Sequence, residues 1–543
     1  MQWIPLGAAL ALLNAALTFL NVWPTPAIWW AGALSVELAA CVLLAMVLRS
    51  RVRLTSPAVL ALLGVIWTIL AIGRYAEVTA PALYGRDINL YWDLRFIPDV
   101  VAMITRVAPA WMMAGALAIV AIVLTLIFRL FRLAWKRVAH AIEDPRERRI
   151  VAIAAAAVLI LYVPIRARAM YPEDSAFPSP VTLTYARQLR LATLAAATKL
   201  PPSPPMDSDM SRVKDVDVIL VFIESYGAIS YDRPEIATGL EPSRRNFEQA
   251  IRDSNKQVVS GFVESPTFGG SSWLAHLSLL SGIEVRDPEA NAKLMTEQRD
   301  TLVRAFGRRG FRTVALMPGM RQSWPEGDFY GFDEIYGADR LAYRGPEFGW
   351  FAVPDQYSLD RLDALEVGAA SRKPLFVVFP TISTHFPFTP TPPYQPDWRR
   401  ISTATPYDDP DMDAAYQKEK EMDWVDFAPG YVEAMAYDFA SIAGYLRERA
   451  LRQGSGQAFR HGPGQGRDFV MILLGDHQPP AVLSGAHAPW EVPVHIVASR
   501  ADVLDRFVSK GFRPGLTPAR PAASPMHKLL PTILEAFGTP VAQ

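Results

Sequence analysis

The chain has 543 residues, 51% of them hydrophobic and only 20% charged. Its 54 basic side chains (lysine plus arginine) cancel 54 acidic ones, which argues against nucleic acid as a partner. With Cys41 as its single cysteine, neither a disulfide framework nor a cysteine-built metal cluster can form.

Five apolar stretches come first: Trp3–Val22, Ala27–Leu48, Ala58–Gly73, Ala108–Phe128 and Ile150–Ile165. A helix needs about 20 residues to cross a bilayer core. The first, second and fourth meet that length, while the third and fifth need flanking arginines to snorkel. Met1-Gln2-Trp3 lacks the basic start of a cleavable signal peptide, so residues 1–165 are expected to form a five-span α-helical membrane domain. Basic residues concentrate in the second connection (Arg49, Arg51, Arg53) and the fourth (Arg129, Arg132, Lys136, Arg137, Arg146, Arg148, Arg149). Both face the cytoplasm if the N-terminus lies inside, and five spans then carry the rest of the chain outside. That orientation hinges on the fifth span, which has Pro164 near its end.

Residues 166–215 read as a linker. It holds a helical stretch, Thr182–Lys199, suited to the membrane surface or to packing, then Pro-Pro-Ser-Pro-Pro at 201–205. From residue 216 to 543 the pattern changes. Short apolar runs at Val216–Ile223, Gln257–Val263, Phe311–Met317, Leu375–Phe379, Phe469–Leu474 and Val492–Ala498 alternate with helical segments. The helical segments are Trp273–Leu280, Asp300–Arg308, Gln356–Val367, Tyr431–Arg449 and Pro525–Phe537. Apolar strands interleaved with helices predict an α/β domain whose mostly parallel sheet is covered on both faces.

In such sheets ligands gather at the carboxyl ends of strands. Three strand ends carry polar groups: Glu224-Ser225-Tyr226-Gly227, Thr381 to His385 with Phe386-Pro387-Phe388, and Gly475-Asp476-His477-Gln478. Carboxylate and imidazole donors of this kind suit one divalent metal ion, Zn²⁺ or Mn²⁺. A further segment, Phe268-Gly269-Gly270-Ser271-Ser272, opens a helix. There a serine is either an ordinary N-cap or a nucleophile whose hydroxyl a metal activates. His276, one turn on, either faces the site or packs the helix.

Together these motifs, in this order, resemble the alkaline phosphatase superfamily, specifically its membrane-anchored, sulfatase-like branch of lipoteichoic acid synthases and phosphoethanolamine transferases. The resemblance implies metal ligation by Glu224, Asp476, His477 and the nucleophile, and substrate contacts from His385 and His487; His276 joins them as a candidate substrate contact by its place on the helix. It also implies a head-group pocket lined by the segment from Arg321 through Trp324 to Tyr336. Ser271 or Ser272 stands where those transferases usually carry threonine; the Gly-Gly-Ser spacing favours Ser271, and counting back from Gly282 favours Ser272, which is preferred. The sulfatase Cys (or Ser)-x-Pro-x-Arg signature is absent, since Leu274 and His276 stand where its proline and arginine would be, so sulfate-ester hydrolysis is not expected.

The function the resemblance implies is transfer of a phospho-head group, of phosphoglycerol or phosphoethanolamine type, through a covalent phosphoserine. The donor would be a phospholipid and the acceptor an envelope lipid or glycan. The protein would then be a multi-pass protein of a bacterial plasma membrane with its catalytic domain outside. A hydrolase using water and a non-catalytic envelope-binding protein are the alternatives.

Overall fold

The structure, a computed structural model, describes residues 3–22, 25–30, 32–84, 88, 110–168, 177–194, 200–320, 327–349, 353–368, 372–455, 467–485 and 487–539. The chain divides into two compact units, Met1–Thr198 and Lys199–Gln543.

The first unit is helical: α1 (Trp3–Thr18), α2 (Val36–Leu48), α3 (Pro57–Tyr84), α4 (Ala110–Glu143), α5 (Pro145–Arg168) and α6 (Val181–Leu194). The five apolar stretches fall on α1 to α5, but five spans were too many. Among the described residues only two helical segments, Pro57–Ala80 and Trp111–Glu143, are long and apolar enough to cross a bilayer. α1 stops after 16 residues, where the chain enters a two-residue antiparallel pair, Leu20–Asn21 with Ile28–Trp29. α2 runs for only 13 residues, from the Ser35 cap to Arg49. α5 is diluted by Arg146, Arg148 and Arg149 in its first turns. Inside the unit Trp67 meets Trp135 edge-on at 4.8 Å and donates to the Leu13 carbonyl at 2.9 Å. By contrast α4 leaves Trp111, Leu117 and Ile119 more than 60% exposed, an apolar surface of the kind lipid covers.

The second unit is built on a nine-stranded sheet. In chain order its principal elements are β1 (Asp217–Ile223), α7 (Pro234–Asp253), β2 (Gln257–Glu264), α8 (Ser272–Ser281), β3 (Arg312–Met317) and β4 (Glu334–Gly337). They continue with α9 (Asp355–Leu362), β5 (Leu375–Pro380), α10 (Ala428–Ser455), β6 (Phe469–Gly475), β7 (Glu491–Ala498), β8 (Arg513–Pro514), β9 (Ala519–Pro525) and α11 (Leu529–Phe537). The strand order is β8-β2-β7-β6-β1-β5-β3-β4, with β9 also pairing with β2. From β6 to β4 neighbours run parallel, whereas β7 runs antiparallel to both β6 and β2. Both faces are covered, as the apolar runs require: Ile219, Val221 and Ile223 of β1 join one buried cluster, and Val218, Leu220 and Phe222 join another.

At the amino end of β1, Asp217 is fully buried and accepts from both Arg372 terminal nitrogens and from Arg449, each at 2.7 Å. Arg449 sits near the end of α10; at that helix's start, the Tyr431 hydroxyl donates to the Ser225 carbonyl beyond the other end of β1. α10 is therefore fastened at both ends of the central strand.

His495, read from the sequence as a core residue, lies inside β7 and is 1% exposed. The Ser260 hydroxyl donates to the Gly515 carbonyl at 2.6 Å, so His495 Nδ1–H donates to Ser260 Oγ and Nε2 is left to accept from Tyr226. This is the neutral imidazole. Burial, reinforced by the Arg244 charge, pushes its pKa down to about 3. Unfolded histidine titrates near 6.5, so this contribution to stability is complete above that value and is lost as pH falls towards 3. Denaturant unfolding of the full chain in detergent should show about 2–3 kcal/mol lost on this account between pH 7 and pH 4.5. A His495→Gln variant, weaker at pH 7, should lack that part of the slope; equal slopes would mean another group is responsible.

Candidate active site

The three central parallel strands end side by side. Ile223 of β1 pairs with Gly475 of β6, and Phe222 pairs with Pro380 of β5. The next residues, Glu224, Thr381 and Asp476-His477, therefore emerge together at the carboxyl edge. Close approach of backbone is required here: a Cβ on Gly475 would lie 1.8 Å from the Tyr226 carbonyl oxygen.

Each group is oriented by its neighbours. Thr381 Oγ1 accepts from the Glu224 N–H at 3.1 Å. Asp476 Oδ1 accepts from the backbone N–H of Ser225 at 2.9 Å and of His477 at 2.7 Å. Ser225 takes a left-handed backbone, φ 58°, to make its contact, and its hydroxyl donates to Glu224 Oε1. His477 Nδ1 lies 2.7 Å from the Gln478 carbonyl and so carries the hydrogen, which turns Nε2 towards the site. Nε2 is 3.3 Å from Glu224 Oε1 and 3.8 Å from Asp476 Oδ1.

The serine segment is held against the same edge. Phe268 forms a bridge with Gln478, and the Gly269 N–H donates to the Gln478 carbonyl at 3.0 Å. Gly270 at φ 142° and Ser271 at φ 64° turn the chain into α8. Ser271 is the N-cap residue and makes no side-chain cap bond. Ser272 Oγ lies 2.7 Å from Glu224 Oε2 and 3.2 Å from His477 Nε2. Of the two serines, Ser272 is the one brought into the carboxylate–imidazole group.

The other expected site residues divide. His385 is exposed in the turn after β5, near enough for its charge to act on Glu224. His276 Nε2 approaches Asp476 Oδ2 at 3.8 Å, and its ring packs on Phe222 at 4.3 Å. His487 is exposed at φ 61° and makes no hydrogen bond or ion pair to the group among the described residues. Arg321 and Trp324 lie outside the described residues. Tyr336, expected to line a pocket, is instead buried, its hydroxyl donating to Glu366 at 2.8 Å.

Two groups had no signal in the sequence. Asp355, the first residue of α9, is buried and accepts from the N–H groups of Ile382 and Ser383, fixing the turn that carries His385. Asp438 of α10 accepts from Thr384 at 3.4 Å. Burial raises the pKa of both, and the Asp355 charge adds to the rise at Asp438.

Electrostatically the centre is a crowd of acids. Burial alone would raise the Glu224 pKa, but the charge and hydrogen bond of His477 hold it below the usual carboxylate range. Burial and the Glu224 charge raise Asp476. Burial opposes protonation of His477, yet Asp476 and Glu224 push its pKa up to about 9. A cation answers the same need as that proton. Donor atoms of Glu224, Asp476 and His477 lie within 4.8 Å of one another. Asp476 Oδ2 is fully buried and has no hydrogen-bond partner among the described residues, which is unusual for a carboxylate oxygen. Hard oxygens with one imidazole fit Zn²⁺ or Mn²⁺.

No family model matches the sequence, and no curated protein matches it. Among solved structures the chain is similar to a protein in the alkaline phosphatase superfamily from Vibrio parahaemolyticus, at 15% identity and TM-score 0.37, covering 65% of this chain and 75% of that one. It is also similar to the lipoteichoic acid synthase LtaP from Listeria monocytogenes, at 12% identity and TM-score 0.35, covering 57% and 71%. A third is the C-terminal periplasmic domain of phosphoethanolamine transferase EptC from Campylobacter jejuni, at 11% identity and TM-score 0.37, covering 60% and 89%.

Replacing Glu224 by glutamine should weaken Zn²⁺ or Mn²⁺ binding at least about tenfold in chelator competition, since it removes one anionic donor. Gly475→Ala must displace the Tyr226 carbonyl. It should cost about 1–3 kcal/mol and shrink the Tm gain that added metal gives the parent protein.

Proposed function

We propose that the chain is a membrane-anchored, metal-dependent phosphotransferase that moves a phospho-head group from a phospholipid to an envelope lipid or glycan through a covalent intermediate on Ser272. The observation that carries this reading is the Ser272 hydroxyl lying 2.7 Å from Glu224 Oε2 and 3.2 Å from His477 Nε2. A serine hydroxyl is a weak nucleophile unless an adjacent group lowers its pKa or takes its proton. Glu224, Asp476 and His477 are the residues that would hold a divalent ion beside Ser272. When bound, that ion supplies Lewis acidity favouring the serine alkoxide.

The chain's own groups account for the rest. Ser272 Oγ, hydrogen-bonded to Glu224 Oε2, loses its proton to solvent and attacks phosphorus. The bond from phosphorus to the diacylglycerol oxygen breaks, leaving the head group esterified to Ser272. His385, at the exposed rim, binds non-bridging oxygens or protonates the leaving oxygen. An acceptor alcohol then attacks the same phosphorus and frees Ser272. The turn under His385 is fixed by buried Asp355, so the histidine is presented from a rigid base. His487 is assigned to substrate contact. The long apolar helices α3 and α4 would anchor the chain to a lipid bilayer.

The test is release of labelled head groups from mixed phospholipid vesicles by the full chain, with and without candidate acceptors. Ser272→Ala should lower turnover by about a thousandfold or more, while Ser271→Ala stays within about threefold of the parent. Product formation that rises with an alcohol acceptor identifies a transferase. Equal release without one identifies a hydrolase, and full release by Ser272→Ala excludes the covalent route.

A further inference from the structure

Two acids outside the metal group meet behind the turn that carries His385. Asp355 opens α9 and Asp438 lies in α10, each 1% exposed. Their chain neighbours touch, the Gln356 N–H donating to the Tyr437 hydroxyl at 3.2 Å. The two carboxyl groups lie within hydrogen-bonding reach of each other. Two buried carboxyl groups so placed cannot both stay ionised.

Their partners decide which one gives way. Both oxygens of Asp355 accept from the Ile382 N–H at 3.0 Å, and Oδ2 also accepts from the Ser383 N–H at 2.7 Å. Backbone donors of this kind favour the charged form of a carboxyl group. Asp438 has no backbone donor. Its Oδ2 accepts from the Thr384 hydroxyl at 3.4 Å, and its Oδ1 is buried with no donor reaching it among the described residues. A charged oxygen there would be left unsolvated, whereas a protonated one needs an acceptor, and Asp355 is that acceptor. The other groups facing the pair carry no charge: the Thr381, Ser383 and Thr384 hydroxyls from the turn, and Tyr437 of α10, which burial keeps neutral. His385, the titratable residue of the turn, is exposed.

We propose that Asp438 holds a proton on Oδ1 and donates it to ionised Asp355, so that the two acids share one proton and one negative charge. Together they hold Ile382, Ser383 and Thr384, the residues directly before His385. Asp438 is therefore a positioning residue for that histidine. This consequence rests on the phosphotransferase reading above; the shared proton does not. The pair also leaves a mark on stability. Unfolded aspartate ionises near pH 3.9, while Asp438 keeps its proton in the folded chain. Above about pH 4 the unfolded state then binds fewer protons here than the folded state, and the site costs stability as pH rises. Asparagine at this position titrates in neither state.

The experiment uses the full chain in detergent. Infrared spectra are taken at about pH 7 in an Asp476→Asn background, which removes the other buried acid of the site. A protonated-carboxyl band is expected there, and Asp438→Asn should abolish it. In the otherwise unchanged chain, the Tm of Asp438→Asn should gain on that of the parent as pH rises from about 4 to about 7. A band that survives Asp438→Asn, or Tm curves that stay parallel, would overturn the proposal. So would a second equivalent of bound metal that Asp438→Asn loses, since an ion would then stand where the proton is placed. Should Asp438→Asn fail to fold, the background chain decides alone, because absence of the band overturns the shared proton. The positioning role is read in head-group release. Asp438→Ala should lower it about tenfold or more, and Asp438→Asn, which can still donate to Asp355, should recover most of the loss. Asparagine no better than alanine removes that role. A parent chain that releases no head group brings down the phosphotransferase reading, and the infrared result then judges the shared proton by itself.

Discussion

The strand register at the sheet's centre governs the site. Because Ile223 lies opposite Gly475, the residues that follow, Glu224 and Asp476, must emerge abreast into a buried edge. Two carboxylates side by side in a medium of low dielectric cannot both stay charged without a compensating positive group. Protonated His477 supplies one, and a divalent ion would supply more. The serine loop, the strained backbone at Ser225 and the turn carrying His385 are all arranged around this enforced pair of acids.

Much of this was legible in the sequence, for physical reasons. Strands buried on both faces must be apolar throughout, so β1, β5 and β6 stood out as uninterrupted runs. Glu224 and Asp476-His477 stood out because several strand ends of one sheet carry metal-donor groups where ligands gather. What escaped notice acts through backbone or through distant packing. Asp355 receives main-chain N–H bonds, and no residue pattern encodes those partners. The antiparallel course of β7 was hidden because an apolar run carries no direction. β9, with Pro521 and Pro525, does not read as a strand at all, yet it pairs along the sheet's edge, where missing donors are tolerated.

The N-terminal unit taught the opposite lesson. There composition alone suggested five crossings, because alanine- and leucine-rich stretches look alike whether a helix spans a bilayer or packs on other helices. Local structure decided the lengths: Ser35 and Arg49 bound α2, and α1 stops at Thr18, just before the pairing of Leu20–Asn21 with Ile28–Trp29. The outward apolar side chains of α4 are a firmer sign of lipid than hydrophobicity itself, since water would otherwise have to cover them.

The attachment of α10 at both ends of β1 has a consequence for genetics. A lesion at Arg449 would strand the buried Asp217 carboxylate and loosen the helix that, through Tyr431, steadies the Ser225 carbonyl. Ser225 in turn holds Asp476. In a screen for lost activity such an allele would sort with the catalytic mutants, though it lies at the opposite end of the central strand. Residues that brace a strut would be mistaken for residues that do chemistry, unless folding and activity are scored separately.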